Sequence, residues 1–328
     1  MKSKFMLLTS MLAFPFTQVV ADDSAVAKKN EEAGKVTPAE DADLKDLKHA
    51  IQPMLWKVEG NGLKKPSYLF GSVHVSDARV INLHPLAEAA YQQADTLSTE
   101  VKLDMMSQIA SMNLMLRKEG ALKDDIGEEL NNKLAAELKN APLGLNVKAL
   151  QSFKTWAVIL TVSMLEEQAK EGDALDLVMW KRAAKDKKKR WALETHQEQM
   201  GGFDKLTKDE QTKLLKGTLE NLAELRKTGE SSITPLVNMY LRGDGDKIVE
   251  TQLAEIEKDE EYKEVTKKFM KLLLDDRNKR MANTIVTKLK AEPEHSHFMV
   301  AGTLHYVGKG NVGELLQKLG YKVTRIVA

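Results

Sequence analysis

The sequence contains no cysteine, and that absence removes zinc fingers, iron–sulfur ligation and thiol catalysis together. Any bound metal has to be held by histidine, carboxylates or water. A basic excess is lacking too: 49 lysines and arginines stand against 48 aspartates and glutamates. That balance is not the electrostatic footprint of a dedicated nucleic-acid binder. The apolar N-terminal run, residues 5–16, is interrupted by Thr9, Ser10 and Pro15 and falls short of the roughly 20 residues a spanning helix needs. What is there is a chain of 328 residues, long enough to bury a full core without disulfides or a structural metal.

Residues 1–21 read as a secretory signal peptide. Lys2 and Lys4 precede the apolar run, and Val19 and Ala21 put small residues at the third and first positions before Asp22. Cleavage there leaves a net charge of −1 and no stable membrane anchor. The expected location is periplasmic or secreted, an oxidising setting in which disulfides are permitted and this chain has none. Residues 22–51 are charged, alanine-rich and free of aromatics. Such a segment buries too little apolar surface to offset its ordering entropy, so a flexible leader is expected.

The remainder, 52–328, begins with short apolar runs at 54–58 and 67–70, separated by Gly60, Gly62 and Pro66 in a strand, turn, strand pattern. Gly71-Ser72-Val73-His74 follows, then a helix opened by Pro85 and a strand ending at Glu100 and Val101, expected beside the second strand. The C-terminus repeats the arrangement. A strand over 297–301 ends in Gly302-Thr303-Leu304-His305, a helical stripe runs to Gly320, and a β-branched segment closes the unit. A further strand, 190–194, ends on Glu194. Between these units the spacing predicts helices over 104–118, 128–140, 147–170, 174–185, 205–228 and 258–291. The last carries an apolar stripe through Met270, Leu274, Met281, Ile285 and Leu289, with Asn278 on the stripe and Arg277 beside it. Most of the 15 methionines fall at core-like helix positions. The fold class is therefore α/β: a central mixed sheet built from two strand-GxxH-helix-strand units at the two ends of the chain, with large helical insertions at about 103–185 and 203–291.

Two such units place His74 and His305 at the carboxyl ends of strands, where open α/β sheets bind ligands. Gly71 and Gly302 fit tight strand-to-loop turns that bring the backbone close to a bound group. Glu100 and Glu194 leave strand ends of the same kind. Two histidines with one or two carboxylates suit a hard or borderline divalent metal such as Mn, Co or Zn, and serve equally as a metal-free acid/base set. Arg277 reads either as a snorkelling side chain or as a buried cation held by a carboxylate. His49, His84, His196, His295 and His297 read as structural or solvent-exposed.

The segments LWKVEGN, PSYLFGSVHV, TLSTEV, WALETHQEQ, RNKRMANTI and FMVAGTLHYVGKGNVGELLQKLGYKV resemble the TraB/PrgY/GumN family, which includes the animal TIKI proteins, over about residues 52–328. The resemblance implies an α/β fold similar to the erythromycin-esterase-like group. It implies site residues His74, His305 and Glu100, with Glu194 and Arg277 lining the same cleft, and a metal-dependent peptidase activity. Where the family usually reads Gly-Leu-Glu-Thr, this chain has Ala192-Leu193-Glu194-Thr195, which leaves substrate preference open. The expectation is an exported metal-dependent hydrolase acting on a peptide or protein: metal on His74, His305 and Glu100, Glu100 or Glu194 as base, Arg277 at the oxyanion. The alternative is a periplasmic binding protein that sequesters a peptide or metal-bearing ligand without turnover.

Overall fold

The computed structural model describes residues 44–141, 144–165 and 172–328. The expected signal peptide and most of the leader lie outside them, as does the end of the helix expected at 147–170. Six strands form one mixed sheet: β1 (Leu55–Glu59), β2 (Ser67–Ser72), β3 (Thr96–Thr99), β4 (Lys189–Ala192), β5 (His297–Gly302) and β6 (Lys322–Ile326), in the order β4-β3-β5-β2-β1-β6. Strands β4, β3, β5 and β2 run parallel, and β1 is antiparallel to both β2 and β6.

Both strand-GxxH-helix-strand units form, but neither is a local hairpin of neighbours. The helix α1 (Pro85–Gln93) carries the chain from β2 past β5 to β3, so β3 does not lie beside β2 as its sequence position suggested. The C-terminal strand β5 is inserted between them. It then leaves in the opposite direction, through the last helix, to β6 beside β1. Adjacent strands whose connections diverge open a crevice at their carboxyl ends, and β2 and β5 are such a pair.

Both central strands are buried along their whole length, as expected where helices cover both faces of a parallel sheet. Alternation splits their side chains. Tyr68, Phe70, Phe298 and Val300 face one core with α1, whereas Leu69, Met299 and Ala301 face another. The insertions form α2 (Met105–Met115), α3 (Leu122–Glu137), α4 (Thr155–Ser163), α5 (Leu175–Lys185), α6 (His196–Met200), α7 (Lys208–Thr228), α8 (Thr234–Arg242), α9 (Gly245–Lys258), α10 (Lys263–Met270) and α11 (Asp276–Ala291); α12 (Val312–Lys318) precedes β6. A separate apolar cluster joins α3, α4, α7 and α10.

Starts and stops follow local chemistry. Asp104 caps α2, and Thr195 with Glu198 and Thr207 with Glu210 form capping boxes on α6 and α7. The helix expected over 258–291 is interrupted by a π-helical segment, Lys271–Asp275; π-bulges of this kind recur at functional sites. Two segments depart from expectation. Residues 44–50 of the expected flexible leader are packed: Leu44 is fully buried, its carbonyl accepts from Arg79, and Ile51 donates to the Leu241 carbonyl at 2.7 Å. Leu44, Leu47 and Ala50 supply an apolar stripe that the charged composition conceals. Met105 and Met106 are each 75% exposed, unlike the buried Met54, Met115, Met179, Met200, Met281 and Met299. Among the described residues no helix is long and apolar enough to cross a membrane.

Candidate functional site

Four parallel strands deliver their ends to one place. His74 lies two residues beyond β2 and Glu100 follows β3 directly. Glu194 lies two residues past β4, tied to β3 by the Glu194 N–H donating to the Glu100 carbonyl at 2.9 Å. His305 ends a 3₁₀ turn, Thr303–His305, that continues β5. Arg277 comes from the first turn of α11, immediately after the π-helical segment, and donates Nη1 to the Leu273 carbonyl within it at 3.2 Å. All five side chains are buried.

Glu100 is the hub. Its Oε1 accepts the Gly302 N–H at 2.7 Å and stands 3.7 Å from Nε2 of His74 and 3.7 Å from Nε2 of His305. Its Oε2 accepts from Gln199 at 3.1 Å and from Nη2 of Arg277. Arg277 is wholly buried and also donates Nε to Oε1 of Glu194 at 2.7 Å. The buried-cation reading of Arg277 is the one realised. On the outer side, Arg280 lies 3.5 Å from Oε2 of Glu194.

Each imidazole is fixed from behind. Nδ1 of His74 lies 2.6 Å from Oδ2 of Asp176, on α5, whose other oxygen accepts from Ser72 at 2.9 Å. Nδ1 of His305 lies 2.6 Å from Oδ1 of Asn278, whose amide donates to the Gly310 carbonyl. A carboxylate or amide oxygen on Nδ1 makes that nitrogen the donor, and the Nε2 atom of each ring faces Oε1 of Glu100.

The electrostatics separate the two carboxylates. Burial acts to raise Glu100, but Arg277, the imidazoles and the Gly302 N–H overcome it and bring the group down to about 2. Burial wins at Glu194, which rises with the help of the Glu100 charge despite Arg277. Both share the same guanidinium, and Glu100 accepts in addition from the Gly302 N–H and from Gln199. Burial, reinforced by the Arg277 charge, pushes His305 down to about 3 and keeps it neutral. Arg277 is held above its ordinary value because two carboxylates outweigh its desolvation.

The donor types, two imidazoles and a carboxylate, suit a borderline divalent ion. With bonds near 2.1 Å, tetrahedral donors stand about 3.4 Å apart, slightly inside the two 3.7 Å separations. As placed, no three His, Asp or Glu side chains among the described residues close into a metal-binding group. The donor chemistry fits an ion, and the placement would have to tighten by a few tenths of an ångström.

Neither Gly71 nor Gly302 has a positive φ. Gly71 permits close packing: a Cβ there would stand 2.9 Å from Oγ1 and 3.2 Å from Cα of Thr303. Gly302 contributes its N–H to Glu100. Sequence reasoning missed Asp176, Gln199 and the pairing role of Asn278. Asn278 had a signal, an amide on an apolar stripe. Asp176 had none, since an acid in a first helical turn is favoured by the helix dipole alone.

The TraB/PrgY/gumN family model matches residues 54–325. The chain belongs to this family. Within it, the curated relatives are metalloproteases by name. The chain is 23% identical over 314 residues to metalloprotease TIKI1 of Danio rerio, covering 83% of this chain and 63% of that protein. It is 24% identical over 315 residues to TIKI1 of Xenopus tropicalis (83% and 61%) and 22% identical over 331 residues to the TIKI homolog of Nematostella vectensis (87% and 69%). It thus spans about three fifths of the length of the two TIKI1 proteins. No solved structure gives a significant match. The TraB/PrgY/gumN segment contains both GxxH histidines, both glutamates and Arg277.

Proposed function

We propose that this chain is an exported, metal-dependent hydrolase that cleaves peptides, with its site at the carboxyl ends of β2, β3, β4 and β5. The observation that carries the reading is the approach of two imidazole nitrogens, each oriented by a partner on Nδ1, to one oxygen of Glu100. His74, His305 and Glu100 would hold the ion, which when bound supplies carbonyl polarisation and a water of lowered pKa. His305 stays neutral and Glu100 stays ionised, the protonation states that ligands require. Glu194, raised by burial, is the better proton acceptor of the two carboxylates. Arg277 holds both carboxylates in place and puts a fixed positive charge beside the position of a developing oxyanion. The names of the TIKI relatives support a peptide or protein as substrate, and the N-terminal pattern of the sequence supports export.

One observation favours the second reading, a binder that sequesters a peptide without turnover: Glu100 is already engaged by Gly302, Gln199 and Arg277. One experiment separates the two. The purified protein is metal-analysed and assayed on a mixed peptide library with added Mn or Co, beside His74→Ala, Glu100→Ala and His305→Ala. Peptide cleavage lost in all three variants supports the hydrolase. Cleavage that persists in all three sinks the site, and stoichiometric peptide binding without products supports the binder.

A further inference from the structure

The opposite end of β5 carries a second cluster that the crevice does not use. Glu292 lies just past α11, and His295 and His297 follow at the turn into β5. That turn is closed by the His295 N–H donating to the Glu292 carbonyl at 3.1 Å. Nδ1 of His295 stands 3.5 Å, and Nε2 of His297 3.9 Å, from the same atom, Oε2 of Glu292. All three atoms are buried and lack a hydrogen-bond partner. Two of the three side chains are otherwise anchored. Nδ1 of His297 bonds the Thr96 hydroxyl at 2.7 Å, and that hydroxyl also accepts from Trp191 at 3.1 Å. The other oxygen of Glu292 is held by Lys288 at 2.6 Å.

Two unpartnered imidazole nitrogens facing one unpartnered carboxylate oxygen in a buried place ask for a cation, because buried polar atoms are ordinarily satisfied. We propose that Glu292, His295 and His297 form a second, structural site for a borderline divalent ion of the Zn(II) type. Two imidazole nitrogens and one carboxylate oxygen are the donors such an ion takes. His297 is fully buried, and Lys288 occupies the oxygen of Glu292 that faces away from the imidazoles. The three atoms stand wider than a closed coordination group. The His295 side chain is 45% exposed, so its ring can reorient from the solvent side. The ion would tie the end of α11 to the start of β5, the two elements that carry Arg277, Asn278 and, just beyond, His305.

The test uses the full purified chain, stripped with chelator and titrated with zinc chloride, with Co(II) absorption as a second readout. A zinc equivalent is expected to survive in the double variant His74→Ala/His305→Ala and to weaken at least tenfold when His295→Ala or Glu292→Gln is added to that background. Saturating zinc should raise the melting midpoint of the double variant but not of the triple variant that adds His295→Ala to it. His295 is chosen over His297 because its side chain is half in solvent and its removal leaves the core intact. No zinc equivalent in the double variant, or one that His295→Ala and Glu292→Gln leave unchanged, overturns the proposal. Failure of the crevice to bind metal would appear separately, as the absence of an equivalent sensitive to His74→Ala.

Discussion

Arg277 and Glu194 lie 83 residues apart in sequence and meet through a 2.7 Å Nε–Oε1 hydrogen bond in which both partners are buried. The same guanidinium reaches Glu100, so one cation holds two carboxylates drawn from the ends of neighbouring strands. A charge so placed is tolerated because it is paired, and losing it strands its partners.

Arg277→Ala should therefore destabilise the fold by about 3–5 kcal/mol, the usual result of breaking a buried pair. Thermal melting at neutral pH checks this. The deficit should shrink as pH falls and the two carboxylates protonate, so a deficit that grows on acidification would contradict the pairing.

Glu100 sets an acid limb. Its pKa falls from 4.5 to about 2 on folding, so its stabilisation is present above the unfolded value and is lost as pH drops through the folded one. The amount is on the order of 3 kcal/mol. Glu194, shifted upward, contributes with the opposite sign. Urea midpoints between pH 5 and pH 2 should fall less steeply in Glu100→Gln than in the parent.

His305 adds to the same limb from a higher pH. It is neutral in the fold, with its pKa lowered from 6.5 to about 3. The unfolded chain thus binds the extra proton, and stability declines as pH falls below about 6.5. Imidazole ¹⁵N shifts should show His305 unprotonated at pH 5, with the proton on Nδ1 facing Asn278.

Asp176 and Asn278 orient the imidazoles without touching their Nε2 atoms. If the crevice holds the proposed ion, Asp176→Asn and Asn278→Ala should each weaken its affinity by about 10–100-fold, the usual effect of removing a partner behind a ligand. Competition against a chromophoric chelator measures it. Unchanged affinity in both variants would show that the imidazoles do not bind the ion through Nε2.

Gly71→Ala tests the close approach of β2 to the turn after β5. The added Cβ meets Thr303 backbone at 3.2 Å and Met54 Cβ at 3.1 Å, groups that cannot swing aside. A loss of about 1–3 kcal/mol is expected from such overpacking, read as a lowered denaturation midpoint.

The sequence by itself determined the fold class, the two repeated units and the strand-end location of His74, Glu100, Glu194 and His305. These depend on short-range patterns: alternation, glycine after a strand, proline opening a helix. It also exposed Arg277 and Asn278, since a charge and an amide on an apolar stripe are locally anomalous. Only the tertiary structure decided that β5 is inserted between β2 and β3, because strand order is set by long-range pairing that no local pattern encodes. That insertion puts Gly302 N–H and His305 against Glu100, 202 residues away from Gly302 in sequence. Packing likewise turned Asp176, an unremarkable acid in a helical first turn, into the partner of His74, and the apolar stripe hidden in residues 44–50 into part of the core. The difference has one physical cause. Periodicity tells which face of an element is buried, and only the assembled fold fixes which atoms meet there.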